Sequence, residues 1–245
     1  MRDNNFIIKQ QVKSCRVYKY LKLCKYLDII YHDIIEKAIT ELIKSDEYLL
    51  KSNLNERTIT HKLAEILQEL LPEYNVDCEY NKNLTLPKTL DFNDIVNSIK
   101  KFLKDKRNKE LLDNKLESYL DILYKELEEA QSLEDESGIL SYLQLSSDKG
   151  DKKFIKRVYP DIIAHLRERK INKIVIEAKK VTNQDTKARY FDLIKLGLFT
   201  QKNGQYCYDI GYFIDLPNNI PSEFDIKITP NTIVPDSNVY IVEIK

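Results

Sequence analysis

The stretch RVYPDIIAHLRERKINKIVIEAKK, residues 157–180, decides the reading of this chain. It reads as a strand, a short polar turn and a second strand, in other words a hairpin. Asp161 opens the first strand, and Glu177-Ala178-Lys179 closes the second. Side chains alternate faces along a strand, so Glu177 and Lys179 share one face while Ile174, Ile176 and Ala178 take the other. Two carboxylates and an ammonium gathered at one end of a hairpin suit a hard divalent cation and a water to be activated.

Working outward toward the N-terminus, YNVDCEYNK (74–82) predicts a strand, with Val76, Cys78 and Tyr80 alternating against Asp77 and Glu79. Before it, residues from about Asn55 to Leu71 predict a helix that stops at Pro72. Ile59, Leu63, Ile66 and Leu70 form its apolar stripe, and Arg57, His61 and Glu65 fall four residues apart in a polar one. That polar stripe bears on function only where it faces the hairpin. An earlier helix, about 28–50, carries Ile35, Ala38, Ile39, Leu42 and Ile43 at helical spacing. Residues 1–26 are basic, with seven Lys or Arg against Asp3, and read first as a solvated face, second as a phosphate contact.

Toward the C-terminus, Asp185 or Thr186 caps an expected helix over about 187–200 that is apolar around much of its circumference. Strands follow at 206–216 and 239–245. Between the first strand and the hairpin, residues about 83–150 are charge-rich and helix-forming, with a seam of Leu112, Leu116, Tyr119, Leu120 and Leu123. The expected organisation is a helical N-terminal extension (1–52) and an α/β domain (53–245) interrupted by that helical insertion.

Composition narrows the classes. Lys+Arg and Asp+Glu balance at 39 each, so net charge gives no argument for nucleic acid and any basic surface is local. The four cysteines (Cys15, Cys24, Cys78, Cys207) form no CxxC pair, which speaks against a zinc site or disulfide framework and for a reducing cytosol. No apolar run is long enough to span a membrane, and the basic start lacks the apolar core of a signal peptide.

Pro160-Asp161, fifteen residues (162–176), then Glu177-Ala178-Lys179, set among NERTITHKLAEIL and VDCEYNK, resembles the PD-(D/E)XK nuclease superfamily and its small bacterial members. The matched region is about 55–82 plus 157–216. The resemblance implies a restriction-endonuclease-like core: a central mixed β-sheet flanked by helices. It implies that Asp161, Glu177 and the Ala178 carbonyl hold one or two Mg2+ (or Mn2+) ions, with Glu65 completing the shell. Lys179 would orient water or balance charge, and Arg57, His61, Lys180, Asp192, Lys195 and His165 are candidates for substrate or supporting contacts. The implied activity is phosphodiester hydrolysis, first of DNA, by a cytosolic protein in genome defence or mobile-element biology, as a homodimer or with a helper protein.

Each residue also has a plainer reading. Asp161 after Pro160 is a turn residue, Glu177 and Lys179 are a same-face ion pair, and His165 is a half-buried strand residue. Pro235-Asp236 and Glu243-Ile244-Lys245 spell the same motif, but six residues between them are too few for two strands and a turn. Two further functions stand beside the nuclease: a non-catalytic nucleic-acid- or protein-binding module that keeps the fold, and cleavage of RNA or nicking triggered by a partner.

Overall fold

The computed structural model describes residues 3–52, 54–80, 82–84, 86–91, 94, 145–147, 154–183, 185–231, 234 and 236–245. Helices α1 (Asp3–Lys51) and α2 (Glu56–Leu70) lead into strand β1 (Asn75–Cys78). Short strands follow: β2 (Lys82–Asn83), β3 (Leu86–Pro87), β4 (Thr89–Asp91), β5 (Leu145–Ser147) and β6 (Phe154–Arg157). The hairpin is β7 (Ile162–Leu166) and β8 (Ile171–Lys180), and α3 (Thr186–Thr200) comes next. Strands β9 (Ile210–Leu216), β10 (Ile226–Asn231) and β11 (Val239–Ile244) end the chain.

Six strands form one mixed sheet in the order β1-β7-β8-β9-β11-β10. The β1/β7, β7/β8 and β10/β11 pairs are antiparallel, while β8/β9 and β9/β11 are parallel. A parallel neighbour needs a crossover, and α3 supplies the one from β8 to β9. The two-residue side-chain period divides the core cleanly. Ile162, Ala164, Ile174, Ile176, Ala178, Tyr212 and Val242 face α1 and α2, while Ile163, Val175, Phe213 and Val239 face α3. Strand β8 is covered on both sides, which is why its middle reads as a continuous apolar run instead of an alternation. Burying each of these large aliphatic side chains contributes roughly 1.5–3 kcal/mol.

The first helix is longer than its apolar stripe announces. It runs from Asp3 to Lys51, with non-helical dihedrals at Asp46 (φ −146°, ψ 40°). From Tyr31 to Leu50 its buried residues share a core with α2 and the sheet, and His32 Nδ1 hydrogen-bonds the Tyr212 hydroxyl at 2.8 Å. The expected boundary near residue 52 therefore does not set this helix apart from the sheet; half of it is one of the layers. No helix among the described residues is long and apolar enough to cross a membrane.

Other differences from the sequence expectation have local causes. The strand expected over 74–82 stops at Cys78 because Glu79 takes a left-handed conformation (φ 49°). Likewise the strand expected from 206 begins at Ile210, after Cys207 at φ 49°. Strand β10, not expected from the sequence, contains Pro230 and lies at the sheet edge, where a missing N–H leaves no ladder bond unmade. The expected helical insertion falls mostly outside the described residues. Its described ends are strands: β2 pairs with β3, and β6 pairs with both β4 and β5.

Lys88 anchors this region from within the core. It is 1% exposed, donates from Nζ to the carbonyls of Lys82 (2.8 Å) and Tyr80 (3.2 Å), and sits 4.9 Å from the Tyr80 ring centroid. Burial pushes its ammonium down to about 8, with Asp77 opposing.

Two measurements check this packing. A Cβ at Gly197 on α3 would meet Val234 Cγ2 at 2.3 Å. Gly to Ala in a helix interior ordinarily stabilises by up to about 1 kcal/mol, but here overpacking wins, and Gly197→Ala should lower stability by about 1–3 kcal/mol in urea unfolding. For Lys88 the folded value lies below the unfolded value of 10.5, so the unfolded chain binds more protons between them and stability rises with pH. The unfolding free energy of the wild type, minus that of Lys88→Met, should therefore increase from about pH 8 to about pH 10. A flat or falling difference contradicts the buried ammonium.

Candidate functional site

Strand β8 turns Val175, Glu177 and Lys179 toward α3 by its two-residue period. Opposite its end, Asp161 is fixed at both its backbone and its side chain. Its carbonyl accepts the Glu79 N–H (3.1 Å), and Oδ2 accepts the Ala178 N–H (2.8 Å). The pairing Ile162↔Ile176 sets this juxtaposition, since one more step along each strand brings Asp161 to Glu177.

Helix α3 closes the site from the other side. Asp192 and Lys195 are three apart and so point the same way. Lys195 Nζ lies 2.8 Å from Glu177 Oε2 and 2.8 Å from Asp192 Oδ1. The second Asp192 oxygen is 3.2 Å from Lys179 Nζ. Helix α2 completes the chain of charges: Glu56 Oε1 accepts the Lys180 N–H at 2.9 Å, and its Oε2 stands 3.9 Å from Lys179 Nζ. Four carboxylates (Glu56, Asp161, Glu177, Asp192) against two ammoniums leave the cluster two charges negative when all are ionised.

Burial governs the electrostatics. Glu177 is 1% exposed, and desolvation pushes its carboxyl well up, against Lys195 and with help from Asp161 and Asp192. Burial also raises Asp161, opposed by the Ala178 N–H and Lys179. Desolvation acts the same way on Asp192, but Lys195 and Lys179 outweigh it and hold that carboxyl below its ordinary value. Lys195 stays an ammonium: burial works against it, yet Glu177 and Asp192 raise it. Lys179 is raised too, chiefly by Asp192 against the cost of burial. Glu177 Oε1 is buried and has no hydrogen-bond partner among the described residues.

Of the residues singled out in the sequence, Asp161, Glu177, Lys179, Asp192 and Lys195 come together. Lys180 projects from β8 with the opposite parity and contributes its N–H to Glu56. Glu65 is not beside them: it lies nine residues along α2 from Glu56, about 13 Å of helix, exposed and paired with Lys62 at 3.0 Å. Arg57 pairs with Glu79 (2.7 Å), and with His61, Glu65 and Leu49 of α1 it lines a shallow groove along α2. His165 is four residues down β7 from Asp161, about 13 Å. Its Nε2 lies 2.9 Å from Asp77 Oδ2, and Asp77 also pairs with Arg167. Asp236 is a turn residue (φ 59°) before β11, while Glu243 lies near the far end of that strand. The glutamate that α2 brings to the hairpin is Glu56. In sequence it reads only as an acid in a helix's first turn, suited to the dipole behind the Asn55 cap.

Among the described residues no group of three or more His, Cys, Asp or Glu side chains is arranged to hold a metal ion. The cluster does have hard carboxylate oxygens on two adjacent strands and one buried oxygen without a partner, a donor chemistry that fits a hard divalent cation. Comparison with protein families, with curated proteins and with solved structures finds no match to this chain.

The bridge at Lys195 makes a quantitative prediction. Removing one partner of a buried pair strands the other charge, so Lys195→Met should cost about 3–5 kcal/mol in chemical denaturation. Adding Glu177→Gln should recover part of that loss, because the stranded charge is gone. A double variant as unstable as the sum of both singles rejects the coupling.

Proposed function

We propose that the chain is a metal-dependent nuclease of the PD-(D/E)XK superfamily, with a restriction-endonuclease-like core, that hydrolyses phosphodiester bonds, first of all in DNA. The observation that carries the reading is the meeting of Asp161 with Glu177 at facing strand ends, Lys179 on the same face and one Glu177 oxygen buried without a partner. Asp161, Glu177 and the Ala178 carbonyl would hold magnesium or manganese, which when bound polarises a scissile phosphate and acidifies a water. The chain's own residues do the rest. Lys179 orients the attacking water or meets negative charge building on the phosphate. Asp192 fixes the Lys179 ammonium, and Lys195 holds Glu177 to α3. Glu56 ties α2 to the strand end that carries Lys179. Glu65 has no part in this version.

A site of this kind cuts one strand, so duplex cleavage calls for a homodimer or a helper protein. Genome defence in a cytosol is the setting we propose. A second reading, a non-catalytic binding module with the same fold, draws support from Lys195 and Lys179, which already partner the buried carboxylates Glu177 and Asp192.

The test is incubation of the protein with plasmid, linear duplex, single-stranded DNA and RNA in magnesium, manganese or EDTA. We expect cleavage that needs metal and falls at least about 100-fold in Asp161→Ala and in Lys179→Ala. Cleavage that survives both substitutions removes these residues from the site. A lack of cleavage of every substrate, with the protein folded, favours the binding module.

A further inference from the structure

Beside the charged cluster the same face of the sheet opens into a cavity of about 340 Å3, lined by Val181, Asn183, Arg189, Leu193, Phe213 and Asp215 among others. Its place follows from register. Lys179 on β8 pairs with Asp215 on β9, and Glu177 pairs with Phe213, so the cavity adjoins the hydrolytic centre at one strand's distance. It lies on the α3 face toward the carboxyl ends of the parallel strands β8 and β9, which Val181, Asn183 and Asp215 mark.

The lining is specific in character. The Arg189 guanidinium stacks over the Phe213 ring at 5.0 Å and pairs with Asp215. That pairing cancels the charge, which makes the cavity a poor receiver for a phosphate. Arg189 Nη1 is nonetheless buried with no hydrogen-bond partner among the described residues. Leu193, Val181 and Ile241 supply apolar walls, and Tyr190 a further ring. A flat, uncharged ligand with apolar faces and an acceptor on its edge satisfies all of these features together. A nucleobase is such a ligand, and arginine donating to a purine edge is its commonest specific contact.

We propose that this cavity takes an unpaired base of a nucleotide flanking the scissile phosphate, with Arg189 Nη1 donating to the base edge. The assignment of the flanking position rests on the nuclease reading; base binding itself does not. The experiment is saturation-transfer NMR in EDTA, with the four deoxynucleoside 5′-monophosphates and deoxyribose 5-phosphate as probes at millimolar concentration. Val181→Trp plugs the cavity from its exposed rim, and Arg189→Lys keeps the charge opposite Asp215 but loses the planar fork.

We expect saturation of base protons in the wild type, its loss in Val181→Trp, and at least about tenfold weaker binding in Arg189→Lys. Both variants should keep the wild-type unfolding midpoint to within a few degrees. Base protons that saturate equally in Val181→Trp, no saturation at all, or equal binding of deoxyribose 5-phosphate would overturn the proposal. Because no metal or turnover is involved, failure here leaves the hydrolytic reading standing, and absence of cleavage leaves base binding standing.

Discussion

A single ammonium, that of Lys195, stands between the carboxylates of Glu177 and Asp192 at 2.8 Å from each. All three groups are almost wholly buried, where an unpaired charge costs several kcal/mol. The arrangement therefore works only as a whole. Helix α3 must dock with its second turn over the end of β8, and β8 must keep the parity that turns Glu177 toward it. Asp192 carries the same constraint on to Lys179, and Glu56 carries it to α2. In this way the charged cluster joins elements that the hydrophobic core merely stacks.

The apolar core accounts for the layers and the cluster for their setting. On the α3 side β8 offers one buried aliphatic side chain, Val175, and the close fit of Gly197 against Val234 seats the helix. The pairing of Lys195 with Glu177 ties that helix to the end of β8 as well. Buried ion pairs are weak sources of stability compared with apolar replacements of the same shape. Six ionisable side chains gathered at one strand end are thus better understood through what they do than through stability. An excess of negative charge, an unpartnered carboxylate oxygen and an ammonium on the same face are the ingredients of phosphodiester chemistry.

Much of this was legible in the sequence, for reasons that can be named. The hairpin announced itself because its turn is charged and its strands are apolar, and Asp161, Glu177 and Lys179 followed from strand parity. Asp192 and Lys195 entered as supporting contacts that the resemblance implies, and the structure brings both to the end of β8. The resemblance implies Glu65 on α2, whereas Glu56 is the glutamate at the strand end; helical spacing ranks residues around a helix but does not reveal which of its ends meets the sheet. Left-handed Glu79 and Cys207 shortened two strands without any glycine to mark the breaks. Strand β10 carries Pro230, a residue that fits a strand only at a sheet edge, and that edge position is visible only in the fold. Arg189 could not be read as lining a cavity, because Phe213 and Asp215 reach it only through the packing of α3 on β9.

The central claim is that the strand ends carrying Asp161 and Glu177 form a divalent-cation site. Calorimetric titration of manganese into the wild type and into Asp161→Asn measures this directly, free of any choice of substrate. The account predicts saturable binding to the wild type that Asp161→Asn loses while keeping its fold. Binding that is absent from the wild type, or equally strong in Asp161→Asn, would contradict it.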